Sequence, residues 1–136
     1  MTCYVIGVDG EGRSTLAESR PQTGDMLEML WKTNRVPCEI QVPVRRDDQE
    51  VTDVGVPAGG SAFFNIHWPP AAEFPLHRTD TLDYGVCVTG ELTCVLEVGE
   101  VVMGPGDTIV IPGVLHGWKA GVTGSDYVVS LVTVDR

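Results

Sequence analysis

His77-Arg78-Thr79-Asp80-Thr81-Leu82-Asp83-Tyr84-Gly85-Val86-Cys87-Val88-Thr89-Gly90-Glu91-Leu92-Thr93-Cys94-Val95-Leu96-Glu97-Val98 is the stretch whose reading decides the fold. It is rich in Val, Thr and Leu and holds no proline, the residue types of extended backbone. Thr81 to Thr89 and Leu92 to Val98 read as two strands around Gly90-Glu91. A two-residue loop with Gly first suits a type II′ or I′ turn. That register sets Thr89 against Leu92, Val88 against Thr93 and Cys87 against Cys94. Alternation groups Cys87 with Gly85 and Asp83, and Cys94 with Leu92, Leu96 and Val98. This is the more apolar face and should point inward. Cys87 and Cys94 are then inward-facing neighbours, as two small buried hydrophobes or as a cross-strand disulfide.

Outward from this stretch the chain keeps a β texture. Pro105-Gly106-Asp107 is a turn leading into a strand from Thr108 to Ile111, and Tyr127 to Val134 is a last apolar strand. Upstream, Ser61 to Trp68 is a strand closed by Pro69-Pro70. Met26 to Thr33 has helix-compatible residues but is short and sits among β signals, so it reads as a strand. Tyr4 to Arg20 reads as a hairpin turning at Asp9-Gly10-Glu11-Gly12. Between Pro37 and Pro57 lies the charged run Arg45-Arg46-Asp47-Asp48-Gln49-Glu50. It is a surface loop by composition, or a flap over a pocket. Strands at this spacing, without a convincing helix, predict a sandwich or barrel.

The whole chain has 136 residues, enough for one domain with a real core and not for two. Nineteen acidic against nine basic residues give a net charge of -10. That balance argues against nucleic acid and anionic membranes as partners, since both want basic patches. No apolar run approaches the roughly 18 residues of a bilayer span. The first residues are too short an apolar run for a secretory signal, so the expected location is cytoplasmic with free thiols.

The chemistry-bearing residues are the histidines. If one strand runs from His77, then His77, Thr79, Thr81 and Asp83 share its inward face. His116 follows the strand ending at Pro112 and a short turn. Two imidazoles and a carboxylate then converge inside a barrel. Trp118 shares the parity of His116 and forms either an apolar wall of the pocket or rim packing. On the strand ending at Trp68, either Phe64, Ile66 and Trp68 or Phe63, Asn65 and His67 line the interior. His67 is therefore a satisfied surface histidine or a further pocket group.

The segment His77 to Tyr84, with Gly90 beyond it, resembles the first motif of the cupin superfamily, G-x5-H-x-H-x(3,4)-E-x6-G. Pro105 to Pro112 with His116 resembles the second, G-x5-P-x-G-x2-H-x3-N, and Glu91 to Met103 fits the hairpin between them. The likeness is to small single-domain cupins with an H-R-T-x-T-x-D-Y core and an H-x-W ending, here His116-Gly117-Trp118. It extends upstream to Leu30-Trp31-Lys32-Thr33. The resemblance implies an all-β fold, a cupin double-stranded β-helix or jelly-roll barrel, with extra N-terminal strands. It divides the single domain 1–136 into an N-terminal hairpin and strand (1–36), a variable loop (37–58) and a barrel core (59–136). The departures are specific. Asp83 stands at the Glu position, Thr79 at the second His, Ala71 at the leading Gly and Ala120 at the closing Asn, and the second motif is one residue short before His116.

What the resemblance implies is a small enzyme of specialised metabolism, such as polyketide tailoring. Its expected chemistry is proton transfer on a small, partly apolar carbonyl compound, as a lyase or isomerase. His77, Asp83 and His116 are the catalytic set, with Thr79, Thr81, Cys87, Trp118 and His67 around the substrate. The same three residues are also the candidate ligands of a divalent Fe, Zn, Mn or Ni ion. Threonine at position 79 is a poor replacement for an imidazole there. The alternatives are an Fe(II)-dependent dioxygenase on that set and a non-catalytic small-ligand binder. The expected partners are a small-molecule substrate and a second copy in a homodimer, paired through the N-terminal strands.

Overall fold

Gly90 does not turn the chain. In the computed structural model, which describes residues 2–37 and 56–135, Gly90 (φ 70°) lies inside one continuous strand. The strands are β1 (Thr2–Val8), β2 (Ser14–Pro21), β3 (Leu27–Thr33), β4 (Ser61–Trp68), β5 (Glu73–His77), β6 (Thr81–Val95), β7 (Glu100–Met103), β8 (Thr108–Pro112) and β9 (His116–Thr133). The expected hairpin across Gly90-Glu91 is thus corrected. The reversal comes later, where the Leu96 amide donates to the Gly99 carbonyl at 3.0 Å and β7 returns along β6. Cys87 faces Tyr127 and Cys94 faces Trp118, so the two cysteines are not register partners. Both are free thiols with no exposed surface. Val98, expected on the inward face, is 91% exposed beside that reversal.

The barrel is built on the long antiparallel ribbon of β6 and β9. Thr81–Gly90 pairs with Ser125–Thr133, and Leu92–Val95 pairs with Gly117–Ala120. Between these two runs β6 advances past one unpaired residue while β9 advances past residues 121–124. The ribbon bends there, and its halves take different neighbours within one seven-stranded sheet. On the first half β4 and then β3 add to β9, and β8 adds to β6. On the second half β5 adds to β9 and β7 adds to β6. Gly90 makes the bend feasible: a Cβ there would lie 2.0 Å from the Gly124 carbonyl oxygen. The left-handed φ of both glycines suits them to that crossing.

Alternation decides what faces the enclosed core. Phe64 and Trp68 of β4, Cys87, Leu92 and Cys94 of β6, Met103 of β7, and Trp118, Tyr127 and Val129 of β9 are buried together. Fully burying side chains of this size contributes about 1.5–3 kcal/mol each. Parity along β6 switches at the bend, so odd positions 81 to 87 and even positions 92 and 94 all point inward.

The outer face of β3 and β4 is covered by the segment after β2. Glu28 accepts hydrogen bonds from the Thr23 and Gly24 amides at 2.6 and 3.2 Å. Asn65 Nδ2 donates to Gln22 Oε1 at 2.9 Å, and the Arg20 guanidinium donates to the Leu30 carbonyl. Beyond that tether the β1–β2 hairpin forms its own two-stranded sheet. Asp9 Oδ1 accepts from the Glu11 and Arg13 amides and shapes its turn.

The N-terminal hairpin and the strands β3, β4 and β8 agree with the sequence expectation. Two further corrections concern the motifs. His77 ends β5 and does not share a strand with Asp83. The last strand begins at His116 and not at Tyr127. The flap expected within 37–58 lies largely outside the described residues. No helix among the described residues is long and apolar enough to cross a membrane.

The bend yields a test. Gly99→Ala, at a positive φ with nothing within 4 Å, should cost roughly 1–2 kcal/mol from backbone conformation alone. Gly90→Ala adds a backbone collision and should cost about 3 kcal/mol or more in urea denaturation. Equal costs would contradict the close approach.

Candidate active site

Two short segments hold the imidazoles in the same way. His77 Nδ1 lies 2.9 Å from the Pro75 carbonyl oxygen, and His116 Nδ1 lies 2.8 Å from that of Val114. A carbonyl only accepts, so each Nδ1 carries a proton, and in the neutral ring the lone pair lies at Nε2. The two residues are register partners across β5 and β9, and their ring centroids are 4.4 Å apart. Phe74 meets His77 edge-on at 4.8 Å, and Trp118 meets His116 edge-on at 5.6 Å. These aromatic contacts fix the ring planes.

Asp83 comes from the other half of the ribbon. Thr81 Oγ1 lies 2.5 Å from Asp83 Oδ1 and 2.9 Å from Thr79 Oγ1. A hydroxyl has one proton, so toward an ionised Asp83 the chain runs Thr79 to Thr81 to carboxylate. Burial pushes the Asp83 carboxyl above its ordinary value, against the Thr81 hydrogen bond and the charges of His116 and His77. Burial pushes His116 below its ordinary value, helped by His77 and opposed by the Val114 carbonyl and Asp83. A carboxyl moved up and an imidazole moved down lie closer in proton affinity than the free groups do.

These groups line one cavity of about 580 Å³. Thr79, Thr81, Asp83, His77, His116 and Trp118, all expected in the site, line it. Cys87 and His67 do not. Cys87 is sealed in the core with its sulfur 3.5 Å from Ser125 Oγ. His67 lies on the outer face of β4, because Phe64, Ile66 and Trp68 take the inner one. Its Nδ1 meets Asp126 Oδ1 at 2.6 Å and its Nε2 meets Glu28 Oε2 at 3.4 Å. Sequence reading missed Tyr127 as a cavity residue and left Trp68 as one of two alternatives, of which the set Phe64, Ile66 and Trp68 is the one that lines it. Trp118 stands between Tyr127 and Trp68, with centroids 5.1 Å from Tyr127 and 6.3 Å from Trp68. The one local sign of Tyr127 is Gly85, where a Cβ would lie 2.0 Å from the phenol oxygen.

A metal centre does not fit the residues as they stand. Among the described residues no three His, Cys, Asp or Glu side chains are gathered closely enough to hold an ion. Asp83 Oδ1 is engaged by Thr81, and Thr79 fills the position of a further imidazole.

A barrel of antiparallel strands with paired histidines on its cavity wall is the architecture of a cupin. No protein-family model matches the chain. A cupin-domain-containing oxidoreductase of Hypocrea virens is 36% identical over 137 residues, covering 90% of this chain and 68% of that protein. One of Aspergillus ruber is 32% identical over 132 residues, covering 90% of this chain and 64% of its own length. Phomopsin biosynthesis cluster protein D of Diaporthe leptostromiformis is 39% identical over 62 residues, 45% of this chain and 33% of that one. The chain belongs to the cupin superfamily. It spans about two thirds of the two oxidoreductases, 68% and 64% of their lengths.

The buried carboxyl makes stability depend on pH. Between the ordinary value of 3.8 and its raised value, folded Asp83 keeps a proton that the unfolded chain has lost. Its contribution to stability is therefore full below about pH 3.8 and disappears as pH climbs through the raised value. His116 acts oppositely, contributing fully above about pH 6.5 and losing that as pH falls through its lowered value. Asp83→Asn should raise Tm at pH 8 by about 3–5 °C. At pH 4 the gain should be smaller. A gain that grows toward pH 4 would refute the assignment.

Proposed function

We propose that this cavity is the active site of an enzyme of specialised metabolism that moves protons on a small, partly apolar carbonyl compound. One observation carries the reading. Both imidazoles hold their Nδ1 proton on a backbone carbonyl, so proton gain and loss falls to Nε2 in each, at a cavity that also holds a carboxyl with raised proton affinity. The membership of a relative in a biosynthesis cluster supports the metabolic setting.

The chemistry follows from the groups. His116, kept neutral by its burial, takes a proton at Nε2 from the carbon next to the substrate carbonyl. Asp83 faces the imidazolium so formed and compensates its charge. His77, in its protonated form, gives a proton to the oxygen leaving from the neighbouring carbon. A C–H and a C–O bond break, a C=C bond forms and water departs. Return of the first proton to a different carbon gives isomerisation instead. The apolar walls keep bulk water from competing for these protons.

A second reading takes support from the two long relatives, both named cupin-domain-containing oxidoreductases. It asks the same His77, Asp83 and His116 set to serve oxygen-dependent oxidation, and the donor set as arranged does not favour it. A non-catalytic small-ligand binder is the third.

A simple ketone separates these readings. The protein should exchange the α protons of phenylacetone for deuterium in D₂O, followed by NMR. His77→Ala and His116→Ala should each slow exchange by about 10² or more while the protein stays folded. Exchange by wild type at the buffer rate sinks the proton-transfer reading. Stoichiometric iron in protein purified without a metal column, with oxygen consumption lost on chelation, would establish the second.

The β1–β2 hairpin supports a homodimer. Ile6 and Leu16 are register partners, and with Tyr4 they stay 53–65% exposed. Such a surface is suited to cover by a second copy. Sedimentation velocity at micromolar concentration should give a dimer, and Ile6→Lys with Leu16→Lys should give a monomer.

A further inference from the structure

His67 stands apart from the cavity in a cluster of its own. It is the register partner of Asp126, and its Nδ1 lies 2.6 Å from Asp126 Oδ1. Its Nε2 lies 3.4 Å from Glu28 Oε2. Three strands thus set one imidazole between two carboxylates: β3 brings Glu28, β4 brings His67 and β9 brings Asp126. From β6 the Thr89 hydroxyl donates to Asp126 Oδ2 at 3.0 Å. Asp25, in the segment before β3, accepts from the Thr23 hydroxyl at 2.7 Å. Lys32 stands further along β3, opposite Ala62.

Proton counting decides how this cluster behaves. A neutral imidazole has one N–H and one lone pair. Between two ionised carboxylates, one oxygen then meets a proton and the other meets the lone pair. Both contacts are hydrogen bonds only when the ring holds one further proton, and those bonds are charge-assisted. Histidine is the side chain that takes up or releases such a proton near neutral pH. Without it, two negative charges flank an uncharged ring where Glu28 is 4% exposed and water screens poorly.

The same cluster holds a piece of the cavity wall. The Glu28 carboxylate accepts from the Thr23 and Gly24 amides, and the His67 amide donates to the Met26 carbonyl at 2.9 Å. Met26 and Leu27 lie between these anchors and line the cavity. One short segment therefore carries the outer cluster on one side and cavity wall on the other.

We propose that Glu28, His67 and Asp126 form a proton-operated latch that fixes the segment Thr23–Leu27 and, with it, the Met26 and Leu27 wall of the cavity. The latch is closed while the cluster holds the further proton. It loosens as pH rises and that proton leaves, so its contribution is complete on the acid side of the titration and lost above it. The inference needs only the cavity wall and holds whichever chemistry the cavity performs.

Amide hydrogen exchange tests it, expressed as protection factors so that the intrinsic pH dependence of exchange cancels. In wild type the Thr23 and Gly24 amides should lose about tenfold in protection between pH 6 and pH 8.5. The Met26 methyl resonance should move along the same curve. Asp126→Asn is the informative variant. Its carbonyl can accept from Thr89 and its amide can donate to Nδ1, so a neutral ring reaches both neighbours with Nε2–H on Glu28. Both amides should then stay protected across the range. His67→Ala should leave them at the low protection of alkaline wild type, without pH dependence. Flat protection in wild type overturns the latch, and so does a fall with pH that persists in either variant. A Met26 resonance that ignores the change overturns the link to the cavity wall and the proposal with it.

Discussion

The contact between Gly90 and Gly124 is the constraint from which the rest follows. Two backbones there approach more closely than any side chain allows, and the β6–β9 ribbon bends between them. Because it bends, one pair of strands carries two sets of neighbours, β4 and β8 on one half and β5 and β7 on the other. Asp83 rides on the ribbon's first half and His116 on the second, so the bend turns residues 33 apart in sequence toward one cavity. Gly85 repeats the device on a smaller scale, where the missing side chain admits the Tyr127 phenol.

Much of this barrel was legible along the chain, and the failures have one origin. Alternation located β3, β4 and β8, and it placed Asp83, Gly85 and Cys87 on one inward row. At Gly90-Glu91 it went astray because a tight turn and a bulge make the same local request, a glycine with positive φ. Only the partner strand distinguishes them, and β9 arrives about thirty residues later. β5 was hidden for a related reason: Pro75 argues against a strand, yet an edge strand tolerates it. The glycines at 117, 121 and 124 concealed the first half of β9 in the same way.

The site was legible where chemistry is written in residue type and illegible where it depends on facing. His77 and His116 stand out by motif resemblance, and they do meet, although His77 and Asp83 come to the cavity from different strands. His67 carries the same side chain and lies outside, clamped between Asp126 and Glu28, because Trp68 rather than its neighbour turned inward. Tyr127 offers no polar pattern at all within an apolar strand. Its meaning appears once Gly85 and Cys87 are beside it. Burying Asp83 opposes folding at neutral pH, the kind of local conflict that functional sites retain.

The two histidines differ in what holds their backbones. His116 begins β9, the strand around which the barrel is organised, flanked there by β5 and β6. His77 ends a strand of five residues whose described pairing is with β9 alone. Edge segments with few ladder bonds open at lower free energy than the centre of a sheet. The imidazole pair is thus anchored at one member and sprung at the other. Local opening of the cavity wall is therefore easier along Glu73–His77 than along the start of β9.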